Sequence, residues 1–99
     1  MAVKPRIKTP EIAAFCLRHH IRRLALFGSV LRDDFTDHSD VDVLVDFAPG
    51  HQPGLAFFAM QDELTAILGR RVDLNTAADL SPYFRDRVLG EAEPVYVAA

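Results

Sequence analysis

Cysteine is nearly absent from this chain and tryptophan wholly so. The single cysteine, Cys16, excludes an internal disulfide, so the fold must be held by packing alone. Long apolar runs are missing as well: no stretch approaches the roughly 20 residues of a membrane span. The first residues, Met1-Ala2-Val3-Lys4-Pro5-Arg6, have no apolar segment after their charges, which argues against a secretory signal. Positive charge is not in excess either, with 11 Lys and Arg against 14 Asp and Glu. A net charge of −3 argues against the basic face of a duplex nucleic-acid binder. Repeats and low-complexity segments are also lacking. What remains is ordinary globular material, 49% hydrophobic and 25% charged over 99 residues. The expectation is one cytoplasmic domain over 1–99, with no membrane contact and no direct nucleic-acid binding.

Within that material the most informative stretch is Gly28-Ser29 followed by Ser39-Asp40-Val41-Asp42. Val41, Val43, Val45 and Phe47 alternate with Asp40, Asp42 and Asp46, a period of two that predicts a strand. Residues two apart on a strand share a face, so Asp40 and Asp42 point one way while the valines enter the core. Two carboxylates side by side repel, and a cation between them relieves the cost. Mg²⁺ suits such a pair, because it takes a few carboxylate oxygens and keeps other positions for water and phosphate. A bare D-x-D also fits an edge strand whose outer face is merely solvated.

The preceding turn adds weight to the first reading. Leu24-Ala25-Leu26-Phe27 has the composition of a short buried strand and stops at Gly28. Glycine lets backbone approach a phosphate, and a following helix would aim unpaired N–H groups at it. Ser29 supplies a hydroxyl donor, and Arg32, one turn on, a planar guanidinium for the same anion.

Elsewhere the pattern alternates helix and strand. Thr9-Pro10-Glu11 starts a helix lined by Ile12, Phe15, Cys16 and His19. Cys16 reads as core, and His19 as a hydrogen-bonded border residue. The clusters Arg18-His19-His20 with Arg22-Arg23, and Arg70-Arg71, suit solvated helix ends, or a patch facing an acidic partner or phosphate. The loop from Ala48 to Gly54 leads into a helix striped by Phe57, Met60, Leu64, Ile67 and Leu68 and capped by Gly69. Arg71 to Leu74 reads as a short strand. Ser81-Pro82 opens a helix with Leu80, Phe84 and Val88 on one side, and Pro94 to Val97 forms a last edge strand. The fold class expected is α+β, a small mixed sheet with helices packed on it.

Leu26-Phe27-Gly28-Ser29-Val30-Leu31-Arg32, then Ser39-Asp40-Val41-Asp42-Val43-Leu44-Val45, resembles the signature of the polymerase β-like nucleotidyltransferase superfamily. Pro49-Gly50-His51, Ile67-Leu68-Gly69-Arg70-Arg71, Val72-Asp73-Leu74 and Ser81-Pro82-Tyr83 extend the likeness to its minimal nucleotidyltransferase branch. The resemblance implies a nucleotidyltransferase fold, with Gly28 and Ser29 in the phosphate-binding turn. It also implies Asp40 and Asp42 as the metal pair, with Asp73 a third catalytic and metal-binding carboxylate on a neighbouring strand. As an isolated V-D-L, Asp73 reads as a surface residue. Where related sequences usually carry glycine after the arginine, this chain has Asp33.

For chemistry, the resemblance implies transfer of AMP from ATP, with two Mg²⁺ ions, to a hydroxyl. In the minimal branch many members are antitoxins that bind HEPN-type ribonuclease toxins and, in studied cases, adenylylate a tyrosine on them. Three classes follow: a protein-modifying enzyme, an antitoxin acting by binding alone, and a small-molecule nucleotidyltransferase. The third would need a further domain for its acceptor, and only Ala98 and Ala99 follow the last predicted strand.

Overall fold

Val41, Val43 and Val45 are fully buried, and their alternation with acidic residues decides which way the central sheet faces. The computed structural model describes residues 9–32, 35–36 and 38–98. Four strands, β1 (Ile21–Phe27), β2 (Val41–Phe47), β3 (Val72–Asn75) and β4 (Glu93–Val97), form one sheet in the order β3-β2-β1-β4. The β1 strand pairs antiparallel with both β2 and β4, while β2 and β3 run parallel. Among the described residues the α-helices are α1 (Thr9–Arg18), α2 (Ala56–Leu68) and α3 (Arg85–Glu91). This is the mixed α+β architecture expected.

One face of the sheet carries the core. Leu24, Leu26, Val41, Val43, Val45, Val72 and Leu74 meet Ile12, Phe15 and Cys16 of α1 and Met60, Leu64 and Leu68 of α2. The helical residues lie three or four apart, so each helix gives the sheet a single apolar stripe. Cys16 is core as expected, and burial pushes its thiol up to about 12. His19 accepts the border role: it is part-buried, its Nε2 lies 3.0 Å from Glu63 Oε1, and its ring rests on Phe15. Arg18 donates to the other oxygen of Glu63, so the end of α1 is tied to α2.

A link through α2 is what a parallel β2–β3 pair requires. Gly69 ends α2 in the left-handed region at φ 69° and donates its N–H to Thr65 O at 2.9 Å. Side chains of α2 then pin β3. Thr65 Oγ1 accepts from the N–H of Val72 at 3.1 Å, and Gln61 Oε1 from the N–H of Leu74 at 2.9 Å. An edge strand with its donors covered in this way has a fixed register and a blunted edge.

Three boundaries differ from the sequence expectation. Arg22 and Arg23 belong to β1 rather than to a helix end, because His20 turns the chain at φ 57° and pairing with β2 begins at Ile21. The helix expected from Ser81 starts at Arg85. Before it, Ala77–Asp79 forms a short 3₁₀ turn closed by a Thr76–Asp79 capping box, and Arg85 donates to the carbonyls of Ala77 and Leu80. No residue of α3 is fully buried, so Leu80 alone of the expected stripe enters the interior. Finally, the turn at Gly28 leads into a four-residue 3₁₀ helix, Gly28–Leu31, rather than an α-helix.

Packing this dense makes a local prediction. Leu64→Ala, at a fully buried position, should lower the unfolding free energy in urea by about 3 kcal/mol. Leu17→Ala, on the same layer but 70% exposed, should change it by no more than about 0.5 kcal/mol.

Candidate active site

The face of the sheet turned away from α1 and α2 holds the acidic residues. Ala25 and Leu44, register partners on β1 and β2, are buried there, while Asp42 is partly buried and Asp73 exposed. Pairing sets the distances along the chain. Asp42 is the register partner of Phe27 on one side and of Asp73 on the other. Asp40 stands one position before β2, and the N–H of Val41 donates to Arg71 O at 2.8 Å, which locks the start of β2 to β3. Asp40, Asp42 and Asp73 are thereby brought to one corner of the sheet, as the resemblance implied.

Gly28 completes that corner. The chain leaves β1 at φ 76°, and a Cβ here would collide with Asp42 Oδ2. Glycine suits the left-handed backbone here, and its missing Cβ leaves the Asp42 carboxylate where it lies. Ser29 follows within the 3₁₀ turn, partly buried, and its carbonyl accepts the N–H of Arg32 at 2.9 Å. The helix that starts at this turn is a single 3₁₀ turn rather than an α-helix. Guanidinium groups near Gly28 are those of Arg32, in extended backbone, and of Arg87 on α3, the latter 3.7 Å from Glu91.

Two adjoining hollows of about 260 and 460 Å³ open beside Gly28. Both are lined by Arg32 and Arg87 with Glu91, and the smaller adds the apolar Phe27, Phe84 and Val88. Sequence reading passed over Arg87. Its signal is the i, i+3 spacing from Phe84 on a helix that returns to the end of β1. Of the Arg70-Arg71 cluster, Arg71 has its Nε 3.9 Å from Asp40 Oδ1, and Arg70 covers the Phe35 ring and donates to Thr36 O. Arg70 thus packs against the segment before β2, while Arg71 stays largely solvated at the edge of Asp40. Asp33 lies outside the described residues.

Crowding has an electrostatic consequence. The Asp42 carboxyl is pushed up to about 6 by burial, then by the neighbouring charges of Asp73 and Asp40, with Arg32 opposing. The donor set is all carboxylate oxygen, which in kind suits a hard divalent cation. Among the described residues, however, no three such side chains are closed up into a group that could hold a metal ion as they stand. The backbone supplies the juxtaposition, and the side chains are not drawn around a common point.

The raised carboxyl makes stability depend on pH. Between about pH 4 and pH 6 the folded chain keeps a proton on Asp42 that the unfolded chain has released, so stability falls as pH rises through that window. Asp42→Asn removes the charge facing Asp40, Asp73 and Arg32. Thermal melts should show the variant more stable than wild type at neutral pH, with the difference closing towards pH 4.

Comparison with known proteins agrees with this geometry. The nucleotidyltransferase domain family matches residues 10–95. Protein adenylyltransferase MntA of Thermococcus cleftensis is 40% identical over 81 residues, covering 81% of this chain and 78% of that protein. A solved structure provisionally described as a minimal nucleotidyltransferase is 36% identical, with a TM-score of 0.72 and 88% of each chain covered. The complex of a tri-AMPylated HEPN toxin with its MNT antitoxin from Shewanella oneidensis shares the fold, with a TM-score of 0.64 at 20% identity over 91% of this chain and 70% of that one. The match over residues 10–95 and the two higher identities show that this chain belongs to the nucleotidyltransferase domain family, in its minimal form.

Proposed function

We propose that this chain is the antitoxin of a toxin–antitoxin pair and transfers AMP from ATP to a hydroxyl, a tyrosine by resemblance, of a HEPN-type partner protein. The observation that carries the reading is the register of Asp42 with Asp73, with Asp40 beside them and Gly28 shaped to fit against Asp42. The names of the relatives support it: one is a protein adenylyltransferase, and a structural neighbour is an MNT antitoxin bound to an AMPylated toxin.

In this reading Gly28, Ser29 and Arg32 receive the triphosphate, with Arg87 beside them. Gly28 lets the phosphates approach the backbone, Ser29 offers its hydroxyl, and the two guanidinium groups offset the anionic charge. Asp40, Asp42 and Asp73 would hold Mg²⁺, which when bound screens the triphosphate and the carboxylates from one another. Asp73, the most exposed carboxylate of the three, faces the acceptor. The acceptor oxygen forms a bond to the α-phosphorus as the bond to pyrophosphate breaks, and its proton passes to the Asp73 carboxylate. Such chemistry depends on positioning and electrostatics rather than on a large protein apparatus, which suits a domain of this size.

Intact-mass spectrometry of the partner toxin, after incubation with this chain, ATP and Mg²⁺, tests the proposal. Wild type should add AMP-sized increments to the partner. The Asp40→Asn/Asp42→Asn double variant should add none while melting cooperatively, a loss of at least about 10³-fold in rate. A stable complex that never gains mass would replace the proposal with an antitoxin acting by binding alone.

A further inference from the structure

A second cleft runs along the β3 edge of the sheet beside α2 and touches the carboxylate corner at Asp73. This cleft, of about 460 Å³, is lined by Phe47, Pro53, Phe57 and Phe58, with Asp73 and Asp79 among its polar members. That volume lies within the range of about 300–1,000 Å³ usual for ligand sites. Its aromatic rings form a connected set: Phe47 and Phe57 have centroids 6.4 Å apart, and Phe58 stands nearly perpendicular to Phe57 at 6.5 Å. Phe58 is nevertheless 67% exposed, and the neighbouring Leu55 is more exposed still. An edge of aromatic and aliphatic surface is left in water beside a catalytic carboxylate, and covering it is favourable.

Charge separates this cleft from the hollows at Gly28. Arg32 and Arg87 line the Gly28 side, together with Glu91, the ion-pair partner of Arg87 at 3.7 Å, and, in the larger hollow, Glu93. The cleft has no Lys, Arg or His among its described lining residues, and its only ionisable groups are Asp73 and Asp79. Asp79 Oδ2 accepts from both the N–H and the hydroxyl of Thr76, which holds this carboxylate in place. A triphosphate is repelled from such a cleft, and of the two sides only the one at Gly28 offers it guanidinium groups. In-line displacement demands the same division, since the entering oxygen must lie opposite the leaving pyrophosphate. With the phosphates at Gly28, the acceptor comes from the side of Asp73.

We infer that the cleft is the acceptor subsite, and that it selects a protein segment with an apolar or aromatic side chain beside the reacting hydroxyl and no acidic residue next to it. The inference rests on the transfer reading above for the role of Asp73. Phe57 and Phe58 seat the apolar neighbour. Asp73 and Asp79 favour a basic flank and reject an acidic one, so discrimination comes from repulsion as well as contact. Nothing in this arrangement depends on a base-specific contact with the nucleotide.

The test uses the whole chain and two matched peptides, each with one tyrosine, flanked by leucine and lysine in one and by glutamates in the other. Transfer from ATP with Mg²⁺ is followed by mass, and binding without ATP by fluorescence anisotropy of labelled peptide. The leucine–lysine peptide should have a KM lower by about tenfold or more, and Phe58→Ala should raise that KM about tenfold while leaving the KM for ATP unchanged. Asp79→Asn should narrow the gap between the peptides. Equal KM values for the two peptides would overturn the inference, as would a Phe58→Ala effect on ATP, which would make the cleft a seat for the nucleobase. If neither peptide gains AMP, anisotropy separates the two claims. Phe58-dependent preference for the leucine–lysine peptide upholds the cleft and counts against transfer, and absence of that preference overturns the cleft.

Discussion

Repulsion among Asp40, Asp42 and Asp73 is the constraint around which the molecule is arranged. Strand pairing holds Asp42 beside Asp73, and partial burial raises the cost of its charge enough to move its carboxyl to about 6. A sheet corner with this much negative charge is not a solution to the folding problem, since an uncharged pair would pack there at lower cost. The apolar face meets the cost: the valines that alternate with these aspartates are fully buried against α1 and α2. The same period of two that builds the core also exposes the acids on the opposite face.

The supporting contacts keep that corner from relaxing. Thr65 and Gln61 take the outward donors of β3, so β3 cannot slip by a residue and turn Asp73 into the core. Arg71 lies near Asp40, and Gly28 leaves room for the Asp42 carboxylate where any other residue would collide. On either side the surroundings diverge, with arginines beyond Gly28 and aromatic rings with acids beyond Asp73. In the proposed function these two surfaces would receive the phosphate-rich and the hydroxyl-bearing substrate on either side of one set of carboxylates. Nucleotidyl transfer needs this polarity, and four strands with three helices suffice to create it.

Much of this was legible before any coordinates. The alternation from Asp40 to Phe47 specified both the strand and its orientation, and the stripe from Phe57 to Leu68 with Gly69 specified α2 and its cap. These signals are local and periodic. What escaped was set by tertiary contact. Arg22 and Arg23 are poor strand residues on a local view, yet β1 carries them because β2 and β4 pair with it. Arg85 satisfies two carbonyls of the preceding turn, which delays α3 by four residues relative to Ser81. Periodicity left Asp73 undecided between surface and site, because only the parallel pairing of β2 with β3 places it beside Asp42. The contribution of Arg87 is hidden for the same reason, since α3 meets Gly28 only once the chain has folded back.

The central claim is that the crowded carboxylates are the seat of a cation-bound triphosphate. Calorimetric titration of a non-hydrolysable ATP analogue into the wild-type chain, in Mg²⁺ and in EDTA, tests it most directly, with Asp42→Asn run alongside. The account predicts binding in Mg²⁺ that is lost in EDTA and weakened about tenfold or more by the substitution. Binding of equal strength in EDTA, or in Asp42→Asn, would contradict it.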